Sequence, residues 1–133
     1  MGLVIRKIIK SDLAELQSGL KQIEETLSQA IPNKETFFNV RLILNELVCN
    51  GSIHGNGLDP QKEVKVRVLV DSKAVVIEVT DQGEGFEKIP FSCQKNNLEC
   101  DDHGRGLVLV NGLSDEFEVQ KNTVRAIKYM WKS

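Results

Sequence analysis

Three short polar segments hold residue types that could do chemistry. The run Asp81-Gln82-Gly83-Glu84-Gly85-Phe86 puts a carboxylate at the end of an apolar stretch and follows it with Gly-x-Gly. Such a carboxylate can accept a donor from a ligand while the glycines let that ligand approach the backbone. An ordinary turn also uses Asp and Gly. The run His103-Gly104-Arg105-Gly106-Leu107 puts glycines where a helix could start, so that backbone N–H groups and the helix dipole face an anion. It is neither a Walker loop nor a dinucleotide fingerprint, because no Gly-Lys-Ser/Thr follows and no strand–turn–helix unit carries Gly-x-Gly-x-x-Gly. The third run, Glu46 to His54, places Glu46, Asn50 and His54 four residues apart, on one stripe of a helix. At about 100° per residue, Leu44, Leu47, Val48 and Gly51 lie about 100–200° from Glu46. Glu46 and Asn50 therefore border the apolar face, although a solvated helix edge has the same spacing.

These segments need elements to position them. Residues 3–9, rich in Val and Ile, read as a strand. Asp12 then caps a helix over 12–29, with Glu15 three residues on and Leu13, Leu16, Leu20, Ile23 and Leu27 as its apolar stripe. Ile31-Pro32-Asn33 ends it. A second helix is predicted from about Lys34 to His54, burying Phe37, Val40, Leu44, Leu47, Val48 and Gly51, with Gly55-Asn56-Gly57 closing it. The period then becomes two: Val64, Val66, Val68 and Val70 alternate with Lys65, Arg67 and Leu69. Asp71-Ser72-Lys73 turns the chain into a strand from Ala74 to Thr80, making a hairpin. Gly104-Arg105-Gly106 opens a short apolar helix through Leu113, and 115–120 pairs with 124–131 around Lys121-Asn122-Thr123. Grouped helices and hairpins, without regular βαβ units, predict an α+β fold.

Composition narrows the function classes. A chain of 133 residues with 41% hydrophobic and 27% charged residues suits one soluble domain, here 1–133, with no need of a staple. Seventeen basic against nineteen acidic residues, a net charge of -2, give no basic excess for direct nucleic-acid binding. The apolar runs are too short to cross a membrane. The first residues, MGLVIRKIIKSDLAEL, show no signal-peptide h-region. With three unpaired cysteines (Cys49, Cys93, Cys100), the expectation is reduced thiols in a cytoplasm. Cys93, Cys100 and His103 lack the paired spacing of a zinc site.

In combination, Glu-x-x-x-Asn on a helix, Asp-x-Gly-x-Gly-Phe after a strand and Gly-x-Gly-Leu opening a helix resemble the N, G1 and G2 boxes of the GHKL (Bergerat-fold) ATPases. Within that superfamily, ELVCNGSIHG, DQGEGF, GRGLVLV and LSDEFEV are most similar to the bacterial anti-sigma-factor serine/threonine kinases, over roughly residues 5–130. The resemblance implies a two-layer sandwich, helices on one face of a mixed, mostly antiparallel sheet, binding ATP and Mg2+. It implies Glu46 as catalytic base, Asn50 as Mg2+ ligand and Asp81 as acceptor for the adenine amino group. Gly83 and Gly85 would shape the adenine pocket, and Gly104, Arg105 and Gly106, followed by Leu107, would border the phosphates. The lid would span about 87–103, with Asp101-Asp102 as the acidic pair before the last box, and it is expected to be mobile without nucleotide. Thr123 falls where the family has Gly-Thr near the adenine, with Asn122 in place of the glycine. Phosphoryl transfer suits such a set, since it needs a metal and a group that orients the nucleophile. An Asn oxygen is a hard ligand and a carboxylate one turn away can take a hydroxyl proton.

The activity so implied is phosphorylation of a small anti-anti-sigma (STAS-type) protein on Ser or Thr by a homodimer that also binds a sigma factor as inhibitory partner. A nucleotide-dependent binding switch without transfer is the alternative, and Glu46 argues against it. A detached sensor-kinase module is a third reading; it needs a dimerisation helix pair with a phosphoacceptor His, for which this sequence has no segment.

Overall fold

The computed structural model describes residues 2–83 and 102–130, the side chains of 102–106 excepted. The chain runs β1 (Leu3–Lys10), α1 (Leu13–Ala30), α2 (Lys34–Cys49), a π-helical turn (Asn50–Gly55), β2 (Glu63–Val70), β3 (Ala74–Thr80), α3 (Asp102–Leu113), β4 (Glu116–Gln120) and β5 (Thr123–Tyr129). The expected lid (to residue 101), Gly85, Cys93, Cys100 and Asp101 lie outside the described residues, as does the side chain of His103.

Three helices cover one face of a five-stranded sheet in the order β1-β2-β3-β5-β4. This is the α+β sandwich of the Bergerat fold, and all four pairings among the described residues are antiparallel. Alternation decides the faces. Val64, Val66, Val68 and Val70 of β2 turn inward with Val75, Ile77 and Val79 of β3, against Leu16, Leu20, Ile23 and Leu27 of α1 and Val40, Ile43, Leu44, Leu47 and Val48 of α2. The outer face carries Arg67, Glu78, Arg125 and Glu118, neighbours across the register and linked by ion pairs of 3.5–3.9 Å.

Local chemistry sets the boundaries. Asp12 accepts from the N–H groups of Ala14 and Glu15 at the start of α1, and Asn33 accepts from Thr36 N–H at the start of α2. Asp71 accepts from the N–H groups of Lys73 and Ala74 and so closes the β2–β3 turn. Those two donors hold its carboxyl below the usual range.

Several expectations need correction. Leu13 is 64% exposed, because in the first turn of α1 it clears the sheet. Phe37 is only half-buried at the core edge while Thr36 takes the buried position. The second helix does not run regularly to His54: it widens into the π turn after Cys49. The third helix starts at Asp102, ahead of Gly104, and Thr123 belongs to β5 rather than to the preceding turn. That last strand stops at Tyr129.

Candidate functional site

The end of α2 supplies the first half of the site. Glu46 is half-buried one turn before Asn50, which is 6% exposed. Burial, with the carboxylate of Glu46 adding to it, pushes the Cys49 thiol up from its ordinary range. That makes Cys49 a poor thiolate at neutral pH. Asn50 N–H still bonds the carbonyls of Glu46 and Leu47. Beyond it the helix widens, and Asn56 N–H reaches back five residues to the Gly51 carbonyl at 2.8 Å. Single π turns of this kind recur at functional sites. Here the wider turn lets Gly51 and Gly55 both face Asp81. His54, the third member of the expected stripe, points to the exposed side.

Asp81, at the end of β3, supplies the second half. It is 9% exposed. A Cβ on Gly51 would lie 3.4 Å from Asp81 Cβ, and one on Gly55 would overlap the Asp81 carboxylate. One on Gly83 would overlap the Gly55 carbonyl. The carboxyl group therefore lies in a cradle whose close approaches at Gly55 and Gly83 leave no room for a Cβ. Its Oδ1 accepts from Gly83 N–H at 2.8 Å, while Oδ2 accepts no hydrogen bond among the described residues. Burial pushes its pKa up, partly offset by the Gly83 N–H and the charge of Lys62. A buried carboxylate with one oxygen uncommitted is a group held ready for a donor.

Strand pairing sets Thr123 beside the end of β3 but turns its side chain to the outer face of the sheet, in step with Glu78 and Arg125. Asp81 is in step with the inward Val79, so the expected place of Thr123 at the adenine is not what the structure shows. Thr80 is opposite Thr123 in the β3–β5 register, their hydroxyls 2.9 Å apart. Asp81 N–H donates to the Asn122 carbonyl at 3.0 Å, and Asn122 Nδ2 donates to the Asp81 carbonyl at 2.6 Å. The asparagine that departs from the family's glycine thus pins the backbone of Asp81. Nothing in one-dimensional spacing pointed to this role, nor to that of Asn56, which joins the π turn to Gln82.

The structure therefore brings the end of α2, with Asn50 next to Gly51, against Asp81 and Gly83, with Glu46 a turn away and Thr123 on the other face of the sheet. Gly104, Arg105 and Gly106 lie in the first turns of α3, which packs against α2 and the π turn. Leu107 is fully buried in the core rather than lining a ligand surface. The residues fit a hard cation on one observation: Asn50 Oδ1 is buried without a hydrogen-bond partner among the described residues. A buried acceptor left unpaired costs about 1–3 kcal/mol, and an oxygen-seeking divalent ion would satisfy it. Among the described residues there is no cluster of three His, Cys, Asp or Glu ligands, so such an ion would share its shell with water and ligand oxygens. No helix among them is long and apolar enough to cross a membrane.

Comparison with known proteins agrees with this layout. Residues 9–128 match the profile of the histidine kinase-like ATPase domain. The chain is 26% identical over 117 residues to an anti-sigma F factor of Anoxybacillus flavithermus, covering 80% of this chain and 79% of that one. It is 28% identical over 117 residues to an anti-sigma F factor of a Geobacillus species, with the same 80% and 79% coverage. An anti-sigma F factor of Clostridium novyi is 30% identical over 109 residues, covering 76% of this chain and 75% of its own length.

Proposed function

The chain belongs to the histidine kinase-like ATPase domain family, and from that premise we propose that it is an ATP- and Mg2+-dependent protein serine/threonine kinase that also acts as an anti-sigma factor. The observation that carries the reading is a pair of oxygens without a hydrogen-bond partner among the described residues, one on each side of the contact between Gly51 and Asp81. Asp81 Oδ2 in its glycine cradle suits a base bearing an amino donor, and Asn50 Oδ1 across Gly51 suits a divalent ion. Bound Mg2+ would neutralise charge on phosphate oxygens.

The chain's own residues divide the remaining work. Asp81, ionised, orients the adenine, while Gly83 keeps the approach to it open. The start of α3, with Gly104, Arg105 and Gly106, turns backbone N–H groups toward the phosphates. Glu46 takes the proton of the attacking Ser or Thr hydroxyl as its oxygen bonds to the γ-phosphorus and ADP departs. The substrate hydroxyl belongs to a small anti-anti-sigma protein of the STAS type, and a sigma factor is the partner held inactive, in a homodimer working in the cytoplasm. Relatives named anti-sigma F factors support a sigma factor as the partner.

The test is calorimetric titration with Mg-ADP and Mg-ATP, followed by capture from the native cell with nucleotide present and assay of label transfer from γ-labelled ATP to a captured STAS-type protein. Saturable binding with transfer to Ser or Thr is expected. Binding without transfer would reduce the protein to a nucleotide-gated switch, and no binding at all would remove both readings.

A further inference from the structure

One buried polar network lies beside the proposed base site without belonging to the motif residues, and Asn56 is its centre. Asn56 is 3% exposed. Its Oδ1 accepts from Gln82 N–H at 2.7 Å, and its Nδ2 donates to Ser11 Oγ at 2.8 Å and to the Glu63 carbonyl at 3.0 Å. Its own N–H closes the π turn on Gly51. Ser11 is fully buried, and its N–H donates to the Lys62 carbonyl at 3.0 Å. Gln82 Oε1 in turn accepts from Glu63 N–H. One amide therefore ties the end of β1, the start of β2 and the loop after β3 to the π turn.

The chemistry of this amide fixes its orientation. A flipped side chain would set Nδ2 against the Gln82 N–H and Oδ1 against the Glu63 carbonyl, leaving two mismatches in a buried place. Gln82 directly follows Asp81, whose backbone is pinned on its other side by Asn122. The loop holding the carboxylate is thus clamped by two asparagines, one to each neighbouring segment. Without the Asn56 clamp, Gln82 N–H would lose its acceptor and the loop could swing away from Gly55.

We propose that Asn56 is a positioning residue that sets where Asp81 Oδ2 stands, and so sets the preference for a purine bearing a 6-amino group over one bearing a 6-oxo group. The inference rests on the reading of Asp81 given above. Positioning of this kind has a signature that general destabilisation lacks. Loss of the clamp should weaken the amino-bearing nucleotide selectively, because only that nucleotide uses the Asp81 carboxylate as acceptor.

Calorimetry with Mg-ADP and Mg-IDP on the full chain tests it, with Asn56→Ala and Ser11→Ala beside wild type. Wild type should prefer ADP. Asn56→Ala should lose about tenfold in ADP affinity, the scale of one such hydrogen bond, with IDP affinity changed much less. Hydrogen exchange should show the Gln82 amide unprotected in that variant while amides of the β2–β3 ladder stay protected. Should Asn56→Ala fail to fold, Ser11→Ala decides, since it removes only one partner of Nδ2 and should narrow the preference by about two- to threefold. Equal wild-type affinities for the two nucleotides would overturn the reading of Asp81 and the inference with it. A wild-type preference that the variants keep, with both affinities falling together, would overturn the inference alone and make Asn56 a stability residue.

Discussion

Asp81 joins function to stability. Its pKa is raised in the folded state by burial, so the folded protein holds that proton more tightly than the unfolded chain does. Stability therefore falls as pH climbs from the ordinary carboxylate range through the raised value, and the loss is complete above it. Asp81→Asn keeps an acceptor for the Gly83 N–H but removes the charge. The variant should melt higher than wild type at neutral pH and lose this part of the pH dependence, measured by thermal melts across the acid range. It should also bind adenine nucleotide more weakly by roughly 1–3 kcal/mol, since its amide can present the wrong group. A variant that melts lower and binds equally well would refute both assignments. Wild-type affinity should itself decline as pH drops through the raised pKa, because the charged carboxylate is the stronger acceptor and the protonated group can present a donor instead. Glu46→Gln separates a different property: nucleotide binding survives while phosphoryl transfer falls by about 10²–10⁴. Equal transfer rates in the two proteins would take the base role away from Glu46. The motif spacing made Glu46, Asn50 and Asp81 legible in the sequence, because each is a chemical type at a fixed distance from glycines. Asn56 and Asn122 were illegible, since their partners lie 26 and 41 positions away and depend on how the loops meet.

Among the elements, the regular ones were written in local signals. Asp12, Asn33 and Asp71 act at their own caps and turn, and valines at period two fix both strands of the central hairpin. The π turn was not written that way. Its sequence, NGSIHG, continues the helical stripe. What widens it is tertiary: Gly51 and Gly55 lie against Asp81, and the next residue, Asn56, is anchored by its side chain to three other segments. The contrast between two glycines tests this. At Gly55 a methyl group would overlap the Asp81 carboxylate, so Gly55→Ala should cost about 1–3 kcal/mol in stability and displace the acceptor, with nucleotide affinity lost in step. At Gly112, in α3, a methyl group meets nothing within 4 Å, so Gly112→Ala should stabilise by up to about 1 kcal/mol without touching affinity. Denaturant unfolding and calorimetry on the two variants check the pair. Opposite stability changes with unequal effects on binding are expected; similar behaviour would mean the glycine cradle has no special role.

Across the whole molecule, the site lies on the seam between the layers. Asn50 comes from the end of the helical layer, Asp81 from the sheet, and α3 packs against α2 beside them. The core itself is apolar: Val48, Val64, Ile77 and Leu107 are fully buried. In the reading proposed above, the oxygens of Asn50 and Asp81 are the part of the structure that a bound nucleotide and ion would complete. A ligand bound only by the folded state adds RT ln(1 + [L]/Kd), about 2.7 kcal/mol at a hundredfold excess over Kd. For a domain of this size each kcal/mol moves the midpoint by about 3–5 °C. Mg-ADP at that excess should thus raise the melting temperature by about 10 °C, and the shift should keep growing with the logarithm of concentration. ADP with a chelator should give a smaller shift, because Asn50 Oδ1 stays unpaired without the ion. Asp81→Asn should start from a higher melting temperature yet gain less from nucleotide, so its curve against ADP concentration should cross that of wild type. Parallel curves for the two proteins would place the nucleotide away from this seam, and with it the chemistry assigned to Glu46 and Asn50.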